Sequence, residues 1–105
     1  MESMAFRMQL KPGNEQEYLR RHDEIWPEMV EALRNAGFRN YSIYLDGLTL
    51  FAYFESENVR ETLAKITVDP VNARWSAMMS DILEAERDPE TQFVPALRPM
   101  FYFAG

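Results

Sequence analysis

The pair Asp46-Gly47 constrains the fold more than any other feature, because it lies between two segments with strand character. Residues 39–45 have the two-residue alternation of a strand, and residues 48–54 are mostly apolar. An Asp-Gly pair between two such segments favours a tight antiparallel hairpin, since glycine readily adopts the left-handed backbone of the turn. We therefore predict a hairpin of two aromatic-rich strands.

The segment before the hairpin predicts one strand and a broken helix. Residues 4–10 alternate in polarity as a strand does, and residues 14–24 have helical spacing with Asn14 as the candidate N-cap. Pro27 disfavours a helical conformation at the residue before it, so the helix should break there and restart over residues 27–36. Gly37 then ends the second half.

The segment after the hairpin predicts two more helices and a loop. Ser56 or Asn58 can cap a helix that runs to about residue 66, and Asp69-Pro70 can open another that runs to about residue 83. The stretch 84–95 is acidic and contains two prolines, which predicts a loop.

An aromatic run at residues 98–103 predicts a closing strand and completes the order of elements. Strand, helix, hairpin, helices and strand together indicate an α+β fold, a ferredoxin-like βαββαβ sandwich, with residues 1–105 as a single domain. Several strands are apolar on both faces, whereas helices of one chain cover only one face of the sheet. The other face should meet a partner or enclose a ligand, as in dimeric α/β barrels, so a homodimer is predicted.

Composition excludes several classes of partner and cofactor. The formal charge of −6 lacks the basic face that nucleic acid requires, so no nucleic-acid partner is expected. The chain has no cysteine, which removes disulfides and thiolate metal sites and is compatible with a reducing cytoplasm. Neither a membrane span nor a signal peptide can be placed. With one histidine and no spaced carboxylate cluster, we expect no metal and no cofactor.

His22 is the candidate proton-transfer residue, because it is the only side chain whose ordinary pKa lies near neutrality. A lone histidine on a charged helix more often has no catalytic role. Tyr18, however, lies four residues earlier on the same helix face, so a hydroxyl and an imidazole can point into one cavity.

Aromatic side chains could provide a surface for a sugar, since flat rings pack on its C–H face while their polar tips bond its rim. The candidates are Trp26, Trp75, Tyr41 and Tyr44. For any one of them, a place in the core or in a dimer interface is at least equally compatible with the sequence.

The segments AFRMQLKPG, EYLRRHDEIWPEM, NYSIYLD and RWSAMMSDIL, with the closing MFYF, resemble L-rhamnose mutarotases over nearly the whole chain. The resemblance implies a dimeric ferredoxin-like enzyme without cofactor that interconverts the α and β anomers of L-rhamnose. It implies that His22 is the proton donor, that Tyr18 and Tyr41 hold the sugar, and that Trp75 lines the site. Members often carry two adjacent tryptophans on the third helix, where this chain has Trp75 and Ser76.

We expect His22 to protonate the ring oxygen, with water or a tyrosine as the second proton carrier. Two rival hypotheses share the predicted fold. One is a dimeric ferredoxin-like monooxygenase that could bind haem through His22, and the other is a sugar-sensing module without catalytic activity. Composition and periodicity alone do not separate the three.

Overall fold

Four strands and four helices form the protein, and the computed structural model describes all 105 residues. In chain order the elements are β1 (Glu2–Leu10), α1 (Glu15–Asp23), α2 (Pro27–Ala36), β2 (Arg39–Asp46), β3 (Thr49–Ser56), α3 (Val59–Ile66), α4 (Pro70–Met79) and β4 (Leu83–Glu84). The predicted hairpin is confirmed as β2 and β3, joined at Gly47 with φ +62°. None of the four helices has the length and apolar content needed to cross a bilayer.

The four strands form one antiparallel sheet in the order β2-β3-β1-β4. This is the strand order of a ferredoxin-like fold, so the predicted α+β class and βαββαβ arrangement are confirmed. Tyr41 lies within a register irregularity between Arg39 and Ser42, and Asn40 beside it has a positive φ of 47°. That irregularity is a bulge at the start of β2.

Proline and capping residues set the helix ends largely as predicted. Trp26 is extended, with φ −62° and ψ 136°, and α2 begins at Pro27, because the residue before a proline avoids the helical region. Asn58 caps α3 by accepting a hydrogen bond from the Glu61 amide at 3.1 Å. Asp69 caps α4 in the same way through the Val71 amide at 2.8 Å. Asn14 precedes α1 but makes no side-chain cap bond.

Two predictions at the carboxyl end of the chain are wrong. The last helix ends at Met79 and not near residue 83, since the chain turns there and the Ile82 amide bonds back to the Met79 carbonyl at 3.1 Å. Residues 98–103 form no strand. The closing strand is instead β4, which pairs with β1 at Gln9 and Leu10. β4 therefore occupies the free edge of β1 at its carboxyl end, and the aromatic residues 101–103 lie exposed.

The helices cover one face of the sheet and leave the other open. Sixteen buried residues from β1 through Ile82 form one hydrophobic core between the sheet and the helices, with Phe54 fully buried at its centre. On the opposite face, Tyr44 is 69 % exposed, Phe51 41 % and Tyr53 39 %. The prediction that only one face is covered within the chain is confirmed.

Candidate functional site

A cavity of about 450 Å³ lies between the helix-covered face of the sheet and the helices α1, α2 and α4. Most of its wall is apolar, with sixteen of twenty-two lining residues hydrophobic, and a few polar groups project into it. All five predicted site residues line this cavity, namely Tyr18, His22, Tyr41, Trp75 and Ser76. An apolar pocket with few convergent polar groups is typical of a small-molecule site.

The side chains of α1 and α4 meet in a row of stacked and edge-on rings. The Tyr18 and His22 rings stack with their centroids 4.2 Å apart and 23° between their planes. Trp75 presents its ring edge-on to His22 at 5.4 Å, and Trp26 meets Trp75 in the same way at 5.1 Å. The predicted four-residue spacing of Tyr18 and His22 thus brings both side chains to one wall of the cavity.

The hydrogen bond of His22 fixes which ring nitrogen carries the proton. Its Nδ1 lies 3.1 Å from the backbone carbonyl oxygen of Tyr18. Because a carbonyl only accepts, Nδ1 must donate, and in the neutral imidazole Nε2 is then left with its lone pair. Burial lowers the pKa of His22 below its ordinary value, and the Tyr18 carbonyl and the Asp23 charge oppose that shift. The imidazole is therefore neutral at pH 7, with a basic Nε2.

Burial has the opposite effect on the two tyrosines. It raises the pKa of Tyr18 to about 12, with no contribution from other side chains. It also raises the pKa of Tyr41, and the nearby Tyr18 adds to that shift. Both hydroxyls consequently remain protonated through neutral pH and can donate hydrogen bonds to a ligand.

Sequence reasoning missed several residues of the cavity wall. Asn72 lines the cavity one helical turn before Ser76, and that spacing could have identified Asn72 as a site residue. Glu86 and Arg87 line it from the loop that follows β4, and Phe93 of the same loop packs edge-on against Phe6 at 5.1 Å. No local sequence pattern indicates that this loop covers the cavity.

Two of the aromatic candidates lie outside the cavity. Tyr44 is a candidate sugar-binding residue by its sequence, but it lies on the exposed face of the sheet, three residues along β2 from Tyr41 and therefore on the opposite side. Trp26 supports the wall from behind by packing on Trp75, and the Arg74 guanidinium lies 6.0 Å from the Trp26 ring centroid. No three of the chain's His, Asp and Glu side chains come together as metal ligands.

The fold and the cavity define a ferredoxin-like domain whose small-molecule pocket holds one neutral histidine among aromatic rings. A family model described as L-rhamnose mutarotase matches residues 3–103. The chain belongs to the L-rhamnose mutarotase family, which confirms the resemblance and favours a carbohydrate isomerase over a monooxygenase or a sensing module.

Individual relatives agree with the family match over almost their full length. An L-rhamnose mutarotase from Burkholderia ambifaria is 47 % identical over 104 residues, covering 97 % of this chain and 98 % of the relative. One from Sinorhizobium fredii is 44 % identical, with 99 % and 100 % covered. The crystal structure of an L-rhamnose mutarotase from Formosa agariphila superposes with a TM-score of 0.80 at 31 % identity, covering 98 % of this chain and 99 % of that one.

Proposed function

We propose that this chain interconverts the α and β anomers of L-rhamnose in the cavity between α1, α4 and the sheet, with His22 as the proton-transfer residue. The observation that carries the proposal is the contact of His22 Nδ1 with the Tyr18 carbonyl, which leaves Nε2 of the neutral imidazole as a proton acceptor in a cavity lined by tyrosine hydroxyls and aromatic rings. Mutarotation needs a group that can take and return a proton near neutral pH, and the imidazole has that property.

The tautomer of His22 defines its part in ring opening. Nε2 takes the proton of the anomeric hydroxyl, and that oxygen forms the carbonyl double bond while the bond from the anomeric carbon to the ring oxygen breaks. The imidazolium then gives its proton to the ring oxygen, which has received the electron pair of the broken bond. Both oxygens are bonded to the same carbon, so one nitrogen can reach each in turn, and neither the water nor the tyrosine expected as a second proton carrier is then required. Rotation of the open aldehyde and the reverse steps give the other anomer.

The remaining site residues hold the sugar in this scheme. Tyr18 and Tyr41 donate hydrogen bonds to sugar hydroxyls, because their raised pKa values keep both phenols protonated. Trp75 offers ring surface to the C–H face of the sugar. Ser76 contributes a small hydroxyl to the wall, where it leaves more room than an aromatic ring would.

Anomer exchange measured by saturation-transfer NMR on equilibrated L-rhamnose tests the proposed activity. Transfer between the two anomeric proton signals should be faster with the protein than in buffer alone. Binding without acceleration would instead support the sensing module. A haem absorption band, or oxidation of an aromatic substrate, would support the monooxygenase.

The pH profile of the exchange should reflect the lowered pKa of His22. Since the neutral imidazole starts the reaction, the protein-dependent rate should be constant above neutrality and fall on acidification, with its midpoint below the ordinary value of about 6.5. The measurement covers about pH 5 to 8, with the rate in buffer subtracted at each pH. A protein-dependent rate that rises as the pH falls through this range would mean that the imidazolium is the active form.

We also propose that two copies pair through the open face of the sheet. Tyr44 and Phe51 are cross-strand neighbours on that face, and Tyr53 lies beside them. Further exposed aromatic surface comes from residues 101–103 at the end of the chain. An exposed aromatic patch of this kind is typical of a protein interface, and a second copy offers the same patch to it.

The substitution Phe51→Glu should convert the dimer into a monomer, because it places two charges in an apolar interface where each finds no partner. Sedimentation velocity at several protein concentrations measures the change. Val68→Glu is the matched control, since Val68 is 79 % exposed in the turn between α3 and α4 and its substitution should leave the dimer intact. A wild type that sediments as a monomer at every concentration would contradict the proposal.

Two further expectations complete the proposed function. We propose that residues 1–105 act as one domain, which the single core of sixteen residues supports. We also propose that the protein works in the cytoplasm, and the absence of cysteine is compatible with that compartment.

A further inference from the structure

Arg21, the residue before His22, joins α1 to the carboxyl end of α4. Its Nη1 and Nη2 donate to the two carboxylate oxygens of Asp81 at 2.9 and 3.1 Å. Nη1 also donates to the Met78 backbone carbonyl at 3.0 Å, and Nε donates to Glu17 at 2.7 Å. One guanidinium therefore contacts its own helix, the last turn of α4 and a residue just beyond α4.

The partners of Arg21 on α4 suit a cation. Met78 is in the last turn of α4, where backbone carbonyls have no partner within the helix and the helix dipole favours positive charge. Asp81 lies two residues beyond the end of α4, and Arg21 holds the pKa of its carboxyl below the ordinary range through the bidentate hydrogen bond. The guanidinium donates to both carboxylate oxygens of Asp81 and to the Met78 carbonyl in one planar fork, a bidentate geometry that an ammonium group does not reproduce.

Apolar packing holds α1 in place only weakly. Tyr18 is its one buried residue, and Leu19, its leucine, is 55 % exposed. Arg21, in contrast, is a long charged side chain with only 15 % exposure, which requires a fixed set of partners. The orientation of α1 over α4 thus depends on this polar contact to an unusual degree.

We propose that Arg21 is a positioning residue for mutarotation, which through Asp81 and Met78 holds His22 edge-on to Trp75 and so aims Nε2 into the cavity. His22 follows Arg21 on α1, and Trp75 lies one turn before Met78 on α4, so one clamp sets the distance between the two rings. Proton transfer requires close alignment of donor and acceptor, and a displacement of about 1 Å can lower a rate about 100-fold.

The test compares Arg21→Ala with Arg20→Ala in the intact protein. Arg20 is the neighbouring residue with the same charge, but it is exposed and bonds only to Glu17 and Glu24 of its own segment. We expect Arg21→Ala to lower kcat for anomer exchange ~10- to 100-fold with a much smaller change in KM. Arg20→Ala should leave both constants close to the wild-type values.

A spectroscopic measurement separates positioning from general loss of structure. The chain has one histidine, so its imidazole proton signals are assigned without ambiguity. In folded Arg21→Ala these signals should shift, because the ring current from Trp75 depends on the relative position of the two rings. Arg21→Lys keeps the charge but lacks the fork geometry, so it should shift the His22 signals in the same direction as Arg21→Ala. If only the charge of Arg21 mattered, the His22 signals of Arg21→Lys would stay at their wild-type positions.

Asp81→Asn provides a second variant that leaves α1 untouched and should reproduce part of both effects. Unchanged kcat and unchanged His22 signals in folded Arg21→Ala and Asp81→Asn would overturn the proposal, as would equal losses in Arg20→Ala. The inference rests on the proposed function, and the two fail differently. A wild type without activity contradicts the function, whereas an active enzyme that depends on His22 but not on Arg21 contradicts only the positioning role.

Discussion

Replacing His22 with Asn should slow protein-dependent anomer exchange about 10²- to 10⁴-fold, the usual contribution of a general acid–base residue. The amide can still donate to the Tyr18 carbonyl, which His22 Nδ1 does at 3.1 Å, but no atom of the side chain can take and return a proton near pH 7. The change should therefore remove chemistry while leaving the shape of the pocket nearly unchanged. Saturation-transfer NMR measures the rate, and saturation with L-rhamnose measures binding.

If His22 transfers the proton, its replacement must lower the exchange rate without weakening the binding of the sugar. We expect the apparent affinity of His22→Asn for the sugar to stay near that of the wild type, since Tyr18, Tyr41 and Trp75 are retained. Tyr41→Phe is a suitable comparison, because it removes one hydroxyl from the same cavity and should weaken binding more than it slows the chemical step. Exchange by His22→Asn at the wild-type rate would reject His22 as the proton-transfer residue.

The sequence predicted those parts of the fold that depend on local backbone chemistry. Pro27 excludes a helical conformation at Trp26, and the break between α1 and α2 lies there. Gly37 and Gly47 adopt positive φ at the end of α2 and in the hairpin turn, as their positions suggested. Such signals act through one or two residues, so they can be recognised without knowing what packs against them.

The ends of the sheet could not be predicted in the same way. The aromatic run at 98–103 has strand propensity, but a strand also needs a free edge with which to pair. Leu83 and Glu84 occupy that edge of β1, and the Lys11 amide bonds to the Ile82 carbonyl at 2.9 Å beside them. Which of two segments takes an edge depends on contacts between residues more than seventy positions apart, and local propensity does not contain that information.

The site was predictable to the extent that its residues share an element. Tyr18 and His22 follow from helical spacing, and the alternation along β2 already separates Tyr41 from Tyr44 onto opposite faces. The meeting of α1 with α4 was not predictable from spacing, because the residues that join them, Arg21 and Asp81, are 60 positions apart. The family resemblance singled out Trp75 among the aromatic candidates, whereas it gave no indication of the contact that Arg21 makes.

Gly37 is the glycine at which the addition of a single methyl group should destabilise the protein most. It ends α2 with φ +108°, a conformation that costs other residues about 1–2 kcal/mol. A Cβ there would also lie 2.7 Å from Thr62 Oγ1, which is bonded to the buried Ser56 hydroxyl at 2.7 Å. Disturbing that buried pair should add about 1–3 kcal/mol.

Gly37→Ala should therefore lower the free energy of unfolding by about 3 kcal/mol and the melting temperature by roughly 10 °C or more, as measured by thermal and urea denaturation. Gly47→Ala is the matched control, because Gly47 has φ +62° but no neighbouring atom within 4 Å of the position that a Cβ would occupy, so only backbone strain of about 1 kcal/mol applies. In a Thr62→Ala background the cost of Gly37→Ala should fall, since the clashing hydroxyl is gone. Equal losses at Gly37 and Gly47, with no dependence on Thr62, would show that close approach to Thr62 does not matter and that backbone conformation alone requires glycine.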